Sequence, residues 1–465
     1  MGMPRKRRGP VARGKPLAAD AAPPADVGGA IAAAGLLLSI AAAGLIVDSG
    51  ADAPFEAPKR LATLVFVAVA AVAAFGFSRW RSPFPGRRAG KVSEPGAAAL
   101  LLLLAGALAL LSAAASPRRT LAFETARAGL LLAFVLPLGA SRVLERWKAP
   151  LLGTFLAVAA GNAVVSALQA LNIYQPFPLV TQGTRDATGA FVGNPGSLAL
   201  ALALAAIAAI GLALLSARLP LRLAGGAAAA VFAGGLLVNR NLTSWSALAA
   251  GAGILLLARF GRKAALPIAL LLLLAGAGIF AYRPMRQRAV EAASAIRDRD
   301  WDRLLTYRLG AWAAAIEMAR ERPWTGFGPG TYGAELVPHR LRAEIETRRR
   351  MANPLVTSAY GEAHCDYLQF FAEAGIPAGL ALLGAVSLLF RGLFRASRRM
   401  PPGPARAEAI LLLAFLGGGA VAALTWFPLQ RPLTAVPLLL AAGRAWRISI
   451  ATAVSDPATP TEPEA

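Results

Sequence analysis

The chain predicts an all-α integral membrane protein with about twelve transmembrane helices and one large, partly helical loop outside the membrane. Three observations lead there. Its 465 residues are 56% hydrophobic, with a mean hydropathy of +0.55, well above an ordinary soluble domain. The apolar residues are gathered into uncharged blocks of roughly twenty, the length that crosses a bilayer as a helix. Basic residues recur in every second connection between those blocks.

The block at 96–116, GAAALLLLLAGALALLSAAAS, shows the reasoning for each span. At 1.5 Å per residue it reaches across roughly 30 Å of hydrocarbon. Its leucines favour insertion by roughly 2 to 5 kcal/mol, whereas one central Arg would oppose it by about 2.5 to 3.5 kcal/mol, so the missing charges decide the assignment. Comparable blocks lie near 27–47, 61–78, 121–140, 149–171, 196–216, 221–238, 243–258, 264–281, 374–390, 407–425 and 429–443. The first is too long for a signal-peptide core and is followed by no clear small-residue cleavage site, so it is expected to stay as an anchor.

Charge supplies the orientation. Arg5, Lys6, Arg7, Arg8, Arg13 and Lys15 precede the first span. Arg79, Arg81, Arg87, Arg88 and Lys91 follow the second, and Arg142, Arg146 and Lys148 follow the fourth. The same parity returns at Arg259, Arg262 and Lys263, at Arg391 to Arg406, and at Arg444 and Arg447. By the positive-inside rule these connections and both termini face the cytoplasm. The expected organisation is a disordered basic N-terminus (1–26), spans one to nine (27–281), a large periplasmic loop (282–373), spans ten to twelve (374–447) and a disordered cytoplasmic tail (448–465).

The net charge of +23 is therefore mainly topological. Nucleic-acid binding is excluded as its cause, because the basic residues are scattered over short loops instead of lining one groove with interleaved aromatics. The lone Cys365 permits no internal disulfide. No metal site is expected, since His364 and His339 are the only histidines and no His, Cys and carboxylate cluster has ligand spacing.

Within the loop, Leu305, Leu309, Trp312 and Ile316 form an apolar stripe at helical spacing, with Arg308 one turn before Trp312. Pro323 and the glycines of GFGPGTYG then end that helix in a turn. Such a turn could cradle phosphate, but the flanking strand and helix of a phosphate-binding fingerprint are missing, and a plain turn is the better reading. Further on, Tyr360, His364, Tyr367 and Phe371 share one helical stripe, while Glu362, Asp366, Gln369 and Glu373 repeat the spacing on the opposite face. That pattern turns His364 toward protein or membrane. A satisfied structural histidine is the usual explanation of such a position; a proton-handling imidazole beside a lipid-borne substrate is the functional one. The loop's cations are all arginine, with Arg342, Arg348, Arg349 and Arg350 clustered. Arginine suits bidentate phosphate recognition, although any single one reads more simply as a solvated charge.

Two stretches, RLGAWAAAIEMARERPWTGFGPGTYG (308–333) and AHCDYLQFFAEAGIPAG (363–379), resemble the signature of the O-antigen ligase and O-antigen polymerase superfamily of polytopic membrane glycosyltransferases. In that family an Arg-led helix ends in a P-x-x-G-x-G-x-G turn, and an A-H-N-x-Y-L-Q-x-x-x-E-x-G-x-x-G helix closes the large loop. GAFVGNPGSLA (189–199) is similar to the family's G-T-F-x-N-P-N-x-L-A entry to a span. The chain departs from the pattern at Cys365, where the family has Asn, at Gly196 in place of the second Asn of N-P-N, and at Trp245, where an Arg following Ser244 is expected.

The resemblance implies a metal-independent, O-antigen ligase-like glycosyltransferase of the inner membrane, acting without a cofactor. Its donor would be a glycan on undecaprenyl pyrophosphate and its acceptor a saccharide, lipid A core or another lipid-linked glycan, with membrane lipid as its surroundings and no nucleic acid. It further implies that His364 is the general base, that Arg308 holds and neutralises the leaving pyrophosphate, and that Arg185, Asn194, Arg240, Tyr367 and Glu373 line the substrate, with Arg240 replacing the Arg lost at position 245. Two other classes remain open. A transporter of lipid-linked glycans would carry ionisable groups at mid-membrane, where these spans are almost uncharged apart from Glu124 and Arg127 near the start of one. An inactive scaffold would explain the departures at Cys365 and Trp245.

Overall fold

The computed structural model describes residues 26–51, 53–77, 93–176, 188–266, 281, 283–349, 351 and 361–454. They are helical throughout, and no strand occurs among them. Eleven helices among the described residues are long and apolar enough to cross a membrane, so the protein is an all-α polytopic membrane protein. The ninth expected span, 264–281, lies largely outside the described residues, as do residues 1–25 and 455–465 of the expected disordered ends.

The first spans are α1 (Val27–Leu45), α2 (Ala57–Gly76) and α3 (Glu94–Ala115). The fourth is built from α4 (Arg119–Ala133) and α5 (Val135–Ala140). The break between them lies just before Pro137, which has no N–H to bond the carbonyl four residues earlier. Next come α6 (Lys148–Ala170), α7 (Pro195–Leu215), α8 (Leu219–Asn239) and α9 (Leu242–Phe260). Helix α7 is the axis of the bundle. Its run from Leu198 to Ala209, with Leu and Ala alternating as far as Ala205, is completely enclosed by α6, α8, α9 and α16 (Pro404–Ala423). Small residues permit this closeness: a methyl added at Gly225 of α8 would sit 2.6 Å from the Ala209 carbonyl of α7.

Helices α10 (Arg283–Arg297), α11 (Trp301–Leu304), α12 (Leu309–Glu321), α13 (Tyr332–Thr347) and α14 (Asp366–Ala374) form a cap. None of the five qualifies as a span. The chain then returns through α15 (Ile376–Arg399), α16 (Pro404–Ala423) and α17 (Pro432–Val454). The last helix thus runs beyond the boundary expected at 447, because Ile448, Ser449 and Ile450 continue its packed face.

Two helix readings inside the cap need correction. The apolar stripe on α12 is not its buried face. The enclosed side is Gly310, Ala311, Ala314, Ala315 and Met318, while Trp312 is half-buried and Ile316 exposed. Small side chains win because α13 and the chain at Met351 approach closely there; a methyl on Gly310 would meet the Met351 carbonyl at 2.6 Å. The second helix starts at Asp366, so His364 precedes it instead of riding on it, and Tyr360 lies outside the described residues. The polar side of α14 is buried: Asp366 and Gln369 are each under a tenth exposed, because neighbouring turns present backbone N–H groups to them.

Candidate functional site

The glycine turn joining α12 to α13 is filled by the protein itself. Gly326, Gly328 and Gly330 all have positive φ, at 64°, 108° and 76°, a conformation that side chains disfavour. Their backbone wraps the C-terminal end of α14. Glu373 accepts hydrogen bonds from Gly330 N at 2.9 Å, Tyr332 N at 3.2 Å and Gln369 Nε2 at 3.0 Å. Its carbonyl accepts from Gly328 N at 2.8 Å and from the Ser112 hydroxyl of α3 at 2.6 Å. Burial pushes its carboxyl up, against the pull of those donors. A protein carboxylate therefore occupies the concavity a phosphate would need, and the plain-turn reading describes what is observed. Glu373 locks the cap onto α3.

The same lock carries His364 to the head of the bundle. Its φ is +55°, a left-handed conformation that costs a non-glycine residue roughly 1 to 2 kcal/mol. Nδ1 lies 3.1 Å from the Glu362 carbonyl. A carbonyl can only accept, so Nδ1 carries the proton in the neutral ring and Nε2 keeps its lone pair. The ring meets Trp426 and Phe427 edge-on, with centroids 5.2 and 5.0 Å away. Burial and then the positive charge of Arg308 push His364 down to about 4, partly offset by the bond to Glu362. It is a neutral imidazole at physiological pH.

Arg308 stands at the N-terminal cap of α12, immediately after two further left-handed residues, Thr306 and Tyr307. Its guanidinium lies 5.4 Å from the centre of the Trp426 ring, so Arg308 and His364 converge on one indole. Trp426 also touches α7: a methyl at Gly196 would be 2.5 Å from the indole and 3.0 Å from the Asn241 side chain. The family's Asn would collide there, so glycine at this departure makes room for the aromatic wall.

Asn194 caps α7, accepting from Gly196 N at 2.9 Å and Ser197 N at 3.0 Å. Arg240 occupies the left-handed residue between α8 and α9, is exposed, and directly precedes Asn241. This turn is fastened to the aromatic wall by Thr243 Oγ1 and Thr425 Oγ1, 2.9 Å apart. Trp245, by contrast, packs half-buried against the bundle core. Tyr367 donates its hydroxyl to the Ala420 carbonyl of α16 at 3.1 Å, which ties the cap to a span. Arg185 lies outside the described residues. The structure therefore gathers His364 and Arg308, brings the Asn194 and Arg240 turns alongside, and assigns the polar groups of Tyr367 and Glu373 to contacts within the fold.

Trp426, Phe427 and Arg431 of the site were not anticipated. Trp426 and Phe427 stack with centroids 4.7 Å apart and form the wall against which the imidazole rests. Arg431 pairs with Glu362 at 2.9 Å and with Glu56, and its Cζ lies 4.8 Å from the Phe427 ring centre. Burial brings Arg431 down to about 10, still charged at neutral pH, while burial pushes Glu362 up against the pull of Arg60. The available signal was Arg431 as the sole charge between Glu408 and Arg444, within a T-W-F-P-L-Q-R-P connection. Asp366 anchors this connection by accepting from Leu429 N at 3.0 Å and Gln430 Nε2 at 3.3 Å.

Cys365 precedes α14 as its cap residue and makes no side-chain cap bond. Its departure from Asn thus falls at the N-terminal cap of α14. Among curated proteins, nothing matches the chain. The family model described as O-Antigen ligase matches residues 227–383, a stretch that includes the Arg240 turn, Arg308 and His364, and that match supports the O-antigen ligase superfamily.

Proposed function

We propose that the protein transfers a glycan from undecaprenyl pyrophosphate to a saccharide acceptor, lipid A core in the first instance, at the periplasmic face of the inner membrane. The observation that carries this reading is the convergence of His364 and Arg308 on Trp426, with Nδ1 of the imidazole bonded to the Glu362 carbonyl. Nε2 takes the proton of an acceptor hydroxyl. The acceptor oxygen then bonds to the anomeric carbon, the bond from that carbon to the phosphate oxygen breaks, and undecaprenyl pyrophosphate departs with the electron pair. Arg308, with Arg240 and Arg185, neutralises the charge that grows on the leaving group. An imidazole lowered by burial remains unprotonated and ready at neutral pH. The basic parity of the connections supports the orientation, with the cap on the side opposite the basic loops.

Reconstitution tests this directly. Purified protein in liposomes, given a defined undecaprenyl-pyrophosphate glycan, is expected to glycosylate lipid A core and to lose that activity in His364→Ala. Growth of the lipid-linked glycan itself would make the chain a polymerase. Movement of the donor between leaflets without glycan transfer would overturn the reading in favour of transport, and neither event would support a scaffold.

A further inference from the structure

At the end of the bundle away from His364 lies a second built site. A cavity of about 230 Å³ opens between the first turn of α3, the last turns of α15 and the far half of α17. Its place follows from the chain. Helix α15 leaves the cap at Ile376 and reaches Arg399 after 24 residues, roughly 36 Å at 1.5 Å per residue. Helix α3 meets the cap at Ser112, so its other end, Ser93 and Glu94, lies with Arg399.

The lining has two halves. Arg395, Arg399, Ser93, Ser449 and Thr452 supply guanidinium and hydroxyl groups, and Ala98, Leu388, Leu389 and Trp446 form apolar walls. Glu94, the one carboxylate among the described lining residues, is shared by Arg395 and by Arg391 at 3.2 Å, so the described lining carries two guanidinium groups to one carboxylate. Trp446 donates Nε1 to the Pro95 carbonyl at 3.1 Å, so the indole is fixed as a wall. Guanidinium groups and hydroxyls are the donors that take a phosphate diester. The volume is below the ~300 Å³ of an ordinary small-molecule pocket, so a headgroup enters while its chains stay outside, along the apolar walls and the neighbouring spans.

We propose that this cavity binds the phosphate-bearing headgroup of an anionic phospholipid, such as phosphatidylglycerol, between α3, α15 and α17. Basic pockets between membrane helices hold such headgroups through charge and apolar contact together. A free phosphate would use the same donors; the lipid is favoured because Leu388 and Leu389 belong to a membrane-spanning helix.

Native mass spectrometry of the detergent-purified full chain decides it. Wild type should retain phosphatidylglycerol over phosphatidylcholine, and Arg395→Gln with Arg399→Gln should weaken retention about tenfold or more. Arg398→Gln, whose guanidinium lies over Phe394 instead of lining the cavity, should retain the lipid as wild type does. Glu94→Gln, which removes the competing carboxylate, should strengthen retention, and this arm decides the matter if the double variant fails to fold. Equal retention of the two lipids, unchanged retention in the double variant or in Glu94→Gln, or displacement of the lipid by stoichiometric glycerol 3-phosphate would each overturn the proposal; the last would mark a site for free phosphate.

Discussion

At the basic end of the bundle, Arg444 is held by Glu145 and Glu408, and Lys148 by the same two carboxylates at 2.9 and 3.0 Å. At the cap end, Arg308 lies on the face of Trp426, and Arg431 is shared between Phe427, Glu362 and Glu56. The first arrangement is a closed lattice of two cations and two anions. The second spreads its cations over aromatic faces, where a guanidinium gains roughly 0.5 to 2 kcal/mol. Both ends contain buried charge, but at Arg444 it is closed into an ion-pair lattice, whereas at Arg308 the guanidinium rests on an indole face. Backbone conformation separates them in the same way: the cap end concentrates left-handed residues at Arg240, Thr306, Tyr307 and His364.

The sharpest break of the comparison is at the imidazole. His364→Ala should lower glycan transfer by on the order of a hundred- to ten-thousand-fold while leaving membrane expression near normal; wild-type turnover by an inserted variant would reduce His364 to a structural histidine. A pair of glutamine variants comes next. Arg444→Gln should lower unfolding stability by about 2 to 4 kcal/mol, since it leaves Lys148 alone to balance two part-buried carboxylates, with the transfer rate per folded molecule unchanged. Arg431→Gln should slow transfer about tenfold or more by loosening the turn at Glu362 that orients His364. Thermal unfolding and single-turnover assays, run on both variants, would erase the distinction between the ends if the effects were alike.

Gly196→Asn, which restores the family's residue, should cost about 1 to 3 kcal/mol of stability or of transition-state binding, because it overpacks the Trp426 wall. A simultaneous Trp426→Ala should remove that steric conflict, and a cycle of the two variants measures the coupling. The pH profile tests the electrostatics of the same group. The base form exists above the folded-state value, so transfer should persist as pH falls and decline only near 4, well below the unperturbed 6.5. Arg308→Gln removes a positive neighbour, and the acid limb of its residual activity should move upward. The smallest effect is expected at Cys365→Asn, which should stabilise by about 0.5 to 1 kcal/mol by supplying the missing cap to α14.

The spans were legible because twenty uncharged residues have few alternatives to a bilayer-crossing helix. The Gly-rich turn and Pro323 were legible as the end of α12 for local backbone reasons. The interior of the cap was less so. Helical spacing continues from Tyr360 through His364 to Phe371, and nothing local reveals that the backbone turns left-handed at His364 before α14 starts. The polar stripe of Asp366, Gln369 and Glu373 resembled a solvated face because its partners, Leu429, Gln430, Gly330 and Tyr332, come from remote turns. The convergence of His364, Arg308 and Trp426 depends on three segments meeting, which periodicity does not encode. The departure at Cys365 falls at the N-terminal cap of α14, a position that helical spacing alone does not mark.

Cys365 has a further use. It is the chain's only thiol, just 5% exposed, and it adjoins His364. Burial pushes its pKa up, which withholds the reactive thiolate. A thiol reagent can therefore reach it only when the turn before α14 opens. Compared with an accessible cysteine of known reactivity, the unmodified protein's labelling rate gives the opening free energy of its own candidate site. Donor that clamps the turn would show itself as slower labelling, a readout of occupancy that needs no glycan transfer.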